Sequence, residues 1–283
     1  MIEAQPLELI PSTDGVMVAA YDLGGNPDGP PLVIAHANGF HGRCYRELAS
    51  LLPQFRCVAL DFRGHGRTPA PPDWEIDWIG FSNDVTAVIT HIAPEGGVTG
   101  FGHSMGGASL LLAAAQHPGL ISRLVVFEPI SYPPPKHPRD PDTFPIVQGA
   151  LRRRRRFESF DAAEANYAAK IPLSLMTPQS RHDYVRYGFH EVEGGVELRC
   201  DPNTEAAIFI SADSNGVWDY LPHVSTPTLV VSGALEDDHP SSWALGVAGH
   251  LPNATFLELS HMTHFGPFSH PAEIADLIVN PAS

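Results

Sequence analysis

Cysteine is scarce: Cys44, Cys57 and Cys200 stand far apart in a chain of 283 residues, and none belongs to a C-x-x-C pair. That excludes a disulfide framework and a paired-thiol redox motif, and leaves buried or half-buried thiols in a reducing cytosol as the expectation. Basic residues are also few, 17 against 32 acidic ones, for a net charge of -15. Such a field repels phosphate backbones, so no nucleic-acid partner is expected. No apolar run approaches the ~18 residues of a membrane span. The stretch from Met1 to Pro11 has neither a basic n-region nor an apolar h-region, so the expectation is a soluble cytoplasmic protein without a membrane partner. The fifteen histidines lack paired ligand spacing such as H-E-x-x-H, so no metal and no other cofactor is expected.

What the chain does have is a segment, Gly97 to Gln116, that reads as a short strand, a sharp turn with one serine, and an apolar Leu/Ala helix. Its centre, Gly102-His103-Ser104-Met105-Gly106, matches G-x-S-x-G. That spacing holds the serine hydroxyl clear of a strained turn, while glycines two residues away on either side remove side chains that would clash. The helix that follows aims its N-terminal N-H groups and its dipole at the same point.

Around this segment the sequence alternates. An opening hairpin (Leu7 to Ile10, Val16 to Leu23) precedes buried strands at Pro31 to His36, Phe55 to Asp61 and Leu124 to Phe127. Helices are expected after Gly42 as far as Leu52 and over Asp77 to Ile92. Strands alternating with helices imply an α/β fold with a mostly parallel central sheet flanked by helices. The alternation stops near Ile130, at a proline-rich linker, and resumes with Thr228 to Gly233, a helix near Ser241 to Ala248, a strand at Thr255 to Leu259 and a helix from Pro271. The expected organisation is a core of 1–130 and 225–283, with a mainly helical cap, 131–224, inserted after the sixth strand. Helices are expected there near Val147 to Phe157, Asp161 to Ala169 and Gln179 to Tyr187.

A serine hydroxyl needs a base, and the base needs an acid to orient it. Among His239, His250, His261, His264 and His270, the choice is His264, in a loop just before the last helix, with His261 supporting that loop. Taken with His36-Ala-Asn-Gly-Phe40, Asp61-Phe-Arg-Gly-His-Gly-Arg67 and the elbow at Ser104, this placement makes the chain resemble the α/β-hydrolase superfamily over nearly its whole length. The resemblance implies an oxyanion hole formed by the backbone N-H groups of Asn38 and Met105. Gly39 is a substitute donor, because Ala37 replaces the family's usual glycine, and His65 is given a structural role.

For the acid, relatives point either to Glu236, after the strand ending at Gly233, or to Glu128, after the earlier strand. A carboxylate closing an apolar strand is costly unless paired, and protonated His264 would pair Glu128. Glu128 is therefore preferred, Glu236 remains open, and Asp237 and Asp238 are lesser options. The run Arg152 to Arg156 reads as helical surface charge offset by carboxylates, with one or two arginines alternatively facing inward toward an anionic substrate group. Phe40, Tyr132, Phe144, Phe157, Tyr184, Tyr187 and Trp218 could line a pocket under the cap.

The function this implies is a serine hydrolase that cleaves a small-molecule ester, thioester or lactone through an acyl-enzyme on Ser104. The alternatives are a carbon-carbon bond hydrolase or cofactor-free lyase using the same Ser-His pair, and a slow-turnover ligand receptor. Nothing in the sequence marks a protein-partner surface.

Overall fold

The computed structural model describes residues 7–133, 140–237 and 239–280. The first six residues, most of the proline-rich linker and Asp238 lie outside them. The chain opens with β1 (Leu7–Pro11) and β2 (Met17–Gly25), followed by β3 (Pro31–Ala35). Next come α1 (Arg46–Ser50), β4 (Arg56–Asp61), α2 (Trp78–Ile92), β5 (Val98–His103), α3 (Met105–Gln116) and β6 (Ile121–Phe127). β3, β4 and β5 are buried along almost their whole length because both of their faces are covered, and α2 starts where the Asp77 carboxylate caps the Ile79 N-H.

Between β6 and β10 lies a long excursion. It contains α4 (Pro145–Leu151), β7 (Arg156–Phe157), α5 (Phe160–Ala168) and α6 (Pro178–Gly188), then β8 (Phe189–Val192) and β9 (Gly195–Leu198), and finally α7 (Pro202–Ser211) and α8 (Val217–Tyr220). The chain ends with β10 (Thr228–Ser232), α9 (Pro240–His250), β11 (Ala254–Glu258), α10 (Gly266–Ser269) and α11 (Pro271–Val279). The main sheet has eight strands in the order β1-β2-β4-β3-β5-β6-β10-β11, parallel from β4 onward, with the opening hairpin antiparallel at one edge. Apolar clusters fill both of its faces, one under α2 and α3 and the other under α1 and α11.

Three local expectations are corrected. The helix expected up to Leu52 is a 3-10 turn, Gly42–Tyr45, followed by the short α1. The excursion is helical but also carries a three-stranded antiparallel sheet, β7-β9-β8, whose hairpin turns at Glu193-Gly194. The arginine run is not helical. α4 ends at Leu151, and the chain then passes through a turn and an irregular stretch into β7, which spreads the guanidinium groups instead of stacking five like charges around one turn.

Candidate active site

β5 sits in the middle of the sheet, between β3 and β6, so the turn at its end opens where several strand ends converge. Ser104 occupies that turn with φ 55° and ψ -116°, a conformation disfavoured for any side-chain-bearing residue. Its backbone is fixed on both sides. The N-H donates to Phe127 O at 2.9 Å, and the carbonyl accepts from Ala108 N at 3.1 Å and Ile130 N at 3.2 Å. The flanking glycines are required by close approach: a Cβ on Gly106 would lie 2.1 Å from the Ala35 carbonyl oxygen, and one on Gly102 2.6 Å from Gly107 Cα. Met105, the first residue of α3, presents an N-H that has no acceptor within the helix. The Ser104 hydroxyl itself has no hydrogen-bond partner among the described residues.

His264 lies in the loop between β11 and α10, and its Nδ1 is 2.6 Å from Glu128 Oε2. Glu128 is fully buried directly after β6, with φ 44°. Its N-H donates to Val231 O at 2.9 Å, and its Oε1 accepts the Gly233 N-H at 2.8 Å. The carboxylate therefore bridges the end of β10 and the imidazole. A proton on Nδ1 facing that carboxylate leaves the Nε2 lone pair for proton transfer. Glu236 is exposed, its N-H is held by Ser241 Oγ at 3.1 Å, and its side chain makes no bond to His264. Asp237 is exposed as well. His261 points instead to Glu273.

Asn38 is buried, and its Nδ2 donates to Glu205 O at 3.0 Å. The N-H of Gly39, the alternative oxyanion donor, is already spent on His65 Nε2 at 3.1 Å. His65 donates through Nδ1 to Arg63 O, and burial holds its pKa down to about 3, so the ring is a neutral strut beneath this loop. His36, at the head of the loop, is likewise held down to about 4 by burial and accepts the Phe62 N-H through Nε2.

Two further residues join these parts. The Ala37 N-H donates to Tyr45 Oη at 3.3 Å, Tyr45 O-H meets His103 Nδ1 at 2.9 Å, and His103 Nε2 donates to the His264 carbonyl at 2.9 Å. The chain is directional, and it ties the Ala37-Asn38 loop to the His264 loop through the residue before the serine. His103 and His264 have ring centroids 4.8 Å apart. Burial pushes the His103 pKa well below its ordinary value, which keeps it in the one-proton form this relay needs. Sequence reading passed over both residues. The only available signal was a histidine, not an apolar residue, between Gly102 and Ser104.

Of the arginine run, Arg155 pairs with Asp201 at 3.0 Å and Arg156 with Glu197 at 3.0 Å, as expected of charge balanced by carboxylates. Arg153 turns inward, but its guanidinium is already bonded to Glu205 and to the Tyr184 hydroxyl. A Cβ on Gly39 would fall 2.4 Å from Glu205 Oε1, so this pair presses directly on the loop that carries Asn38. Phe157 and Tyr184 are core residues, Trp218 packs on His250, and Phe40 stacks on Phe268 with ring centroids 4.9 Å apart, beside Phe265 of the His264 loop. All three cysteines are buried and free.

Residues 32–277 match the family model described as the alpha/beta hydrolase family. The chain belongs to that family. The pimeloyl-[acyl-carrier protein] methyl ester esterase of Chromobacterium violaceum is 26% identical over 247 residues, covering 86% of this chain and 90% of that protein. Lipase LipV of Mycobacterium tuberculosis is 36% identical over 104 residues, covering 36% of this chain and 39% of LipV. The match to the probable oxidoreductase EphD of Mycobacterium bovis covers 29% of that protein, so this chain spans well under half the length of both of these relatives. Among solved structures, E-2-(acetamidomethylene)succinate hydrolase superposes with a TM-score of 0.80 at 20% identity over 98% of both chains. The fold is therefore that of an α/β hydrolase with esterase- and lipase-like relatives. No helix among the described residues is long and apolar enough to cross a membrane.

Proposed function

We propose that the protein is a serine hydrolase of carboxylic esters, thioesters or lactones, working through an acyl-enzyme on Ser104. The observation that carries this reading is the 2.6 Å contact between His264 Nδ1 and the fully buried Glu128 carboxylate, two residues that are 136 positions apart in sequence. In the reaction His264 Nε2 takes the Ser104 proton as Oγ bonds to the substrate carbonyl carbon. The oxyanion that forms is held by the Met105 and Asn38 N-H groups. Collapse of the tetrahedral intermediate breaks the bond to the leaving group, which receives the proton from His264. Water then enters, gives its proton to His264, and releases the acid and free Ser104.

In this reading the excursion, 131–224, serves as a cap over the site, and the core is 1–130 with 225–283. Arg153 and Glu205 then bolt the cap to the oxyanion loop. The relatives named as a methyl ester esterase and a lipase support an ester as substrate. The test is labelling with a fluorophosphonate and turnover of short p-nitrophenyl esters. Wild type should label stoichiometrically and turn over, and Ser104→Ala should do neither. Equal behaviour of the two proteins overturns the proposal.

A further inference from the structure

Outside the Ser104 constellation, three ligating side chains that are separated in sequence meet on the surface. His261 lies in the loop after β11, His270 is the residue before α11, and Glu273 stands in that helix's first turn. One donor atom from each lies within 4.8 Å of the other two. His261 Nε2 is 3.0 Å from Glu273 Oε2 and 3.3 Å from Oε1, and the two imidazole rings stand at 85° with centroids 5.2 Å apart.

We propose that His261, His270 and Glu273 form a Zn2+ site that fastens the loop carrying His264 to α11. The donor set, two imidazoles and one carboxylate, suits a borderline cation such as zinc and is wrong for Ca2+ or Mg2+, which take oxygen ligands. With metal-ligand bonds near 2.0 to 2.1 Å, the edge of a tetrahedron is about 3.3 Å. The His261-Glu273 edge, 3.0 Å to Oε2 and 3.3 Å to Oε1, is close to that length, and His270 has to draw in from a separation of no more than 4.8 Å. Ser269 Oγ bonds His270 Nδ1 at 2.8 Å, which leaves Nε2 free to ligate, and a metal-bound imidazole is commonly held by its other nitrogen in this way.

His261 and Glu273 are about half exposed, and among the described residues neither has another ion-pair partner, so zinc has no stronger one there to displace. The fourth position falls to water. The ion would join position 261, three residues before His264, to a helix whose inner face is in the core, and so narrow the motion of the loop that carries the imidazole. The site does not depend on what Ser104 does.

The test is isothermal titration of the chelator-stripped full chain with ZnCl2, alongside Co2+ absorption spectroscopy and thermal unfolding, with CaCl2 as the control cation. The expected result is one saturable zinc, visible d-d bands of low-symmetry Co2+, and a raised Tm with zinc but not with calcium. His261→Ala and Glu273→Gln should each weaken zinc binding at least about tenfold. Both positions are off the core, and an unchanged Tm without metal verifies folding. Should one variant not fold, the other carries the comparison. Absence of saturable zinc binding by wild type, or variants that bind zinc as tightly as wild type, overturns the proposal.

Discussion

Ser104 and Glu128 are two of the four non-glycine residues with left-handed φ among the described residues, and both belong to the candidate site. Such backbone is held against its own preference by the surrounding hydrogen bonds, and at Glu128 it aims a buried carboxylate at His264. Glu128→Gln should therefore lower kcat by about a thousandfold or more, as acid-member substitutions in triads do, while Glu236→Gln stays near wild type. Steady-state kinetics on one p-nitrophenyl ester checks both. His103→Phe removes the link between Tyr45 and the His264 carbonyl. It should lower kcat about 10- to 100-fold with little change in KM, the effect expected when an imidazole is displaced slightly. Ser104 and His264 stand out in the sequence as candidates because a turn motif and a loop before a helix are local signals. For the acid the sequence favours Glu128 but leaves Glu236 open, because a carboxylate's partner is a matter of space: Glu128 meets Gly233 and His264 only once β6 and β10 are side by side.

Among the elements, α3 and the excursion carry the sharpest consequences. Gly106 lets the first turn of α3 approach the end of β3. Gly106→Ala drives a methyl into the Ala35 carbonyl and should cost at least about 3 kcal/mol in a urea unfolding experiment. Arg153→Met leaves Glu205 buried without its cation beside Gly39 and should destabilise by roughly 3 to 5 kcal/mol. The double change Arg153→Met with Glu205→Leu should recover much of that loss, as paired removal of buried charges does elsewhere. The core helices and strands were read from apolar periodicity. The excursion was harder to read because its two-residue and four-residue strands, β7 to β9, are too short for an alternating pattern, and the arginines mask the end of α4.

At the scale of the whole molecule, the buried histidines govern acid stability. His36, His41 and His65 are held by burial to about 4, 3 and 3, whereas each titrates near 6.5 once unfolded. Between those values the unfolded chain binds protons that the native chain refuses. Stability from these groups is thus complete above about pH 6.5 and lost as the pH falls toward 4, by up to about 1.4 kcal/mol per pH unit for each ring. Urea midpoints should be flat from pH 7 to 8 and decline steeply from 6 to 4.5. A flat profile through that range would show that the rings charge without unfolding.

The sheet holds one more consequence. β6 and β10 are parallel neighbours in register, Leu124 with Thr228 and Phe127 with Val231, so the entire excursion replaces what between β5 and β6 is a single crossover helix. Because both of its ends are welded to adjacent strands, a different length of chain could be transplanted there without disturbing the neighbouring pairing. On the proposed reading of the excursion as a cap, exchanging that module would rewrite ligand preference while the serine, the imidazole and the carboxylate keep their seats.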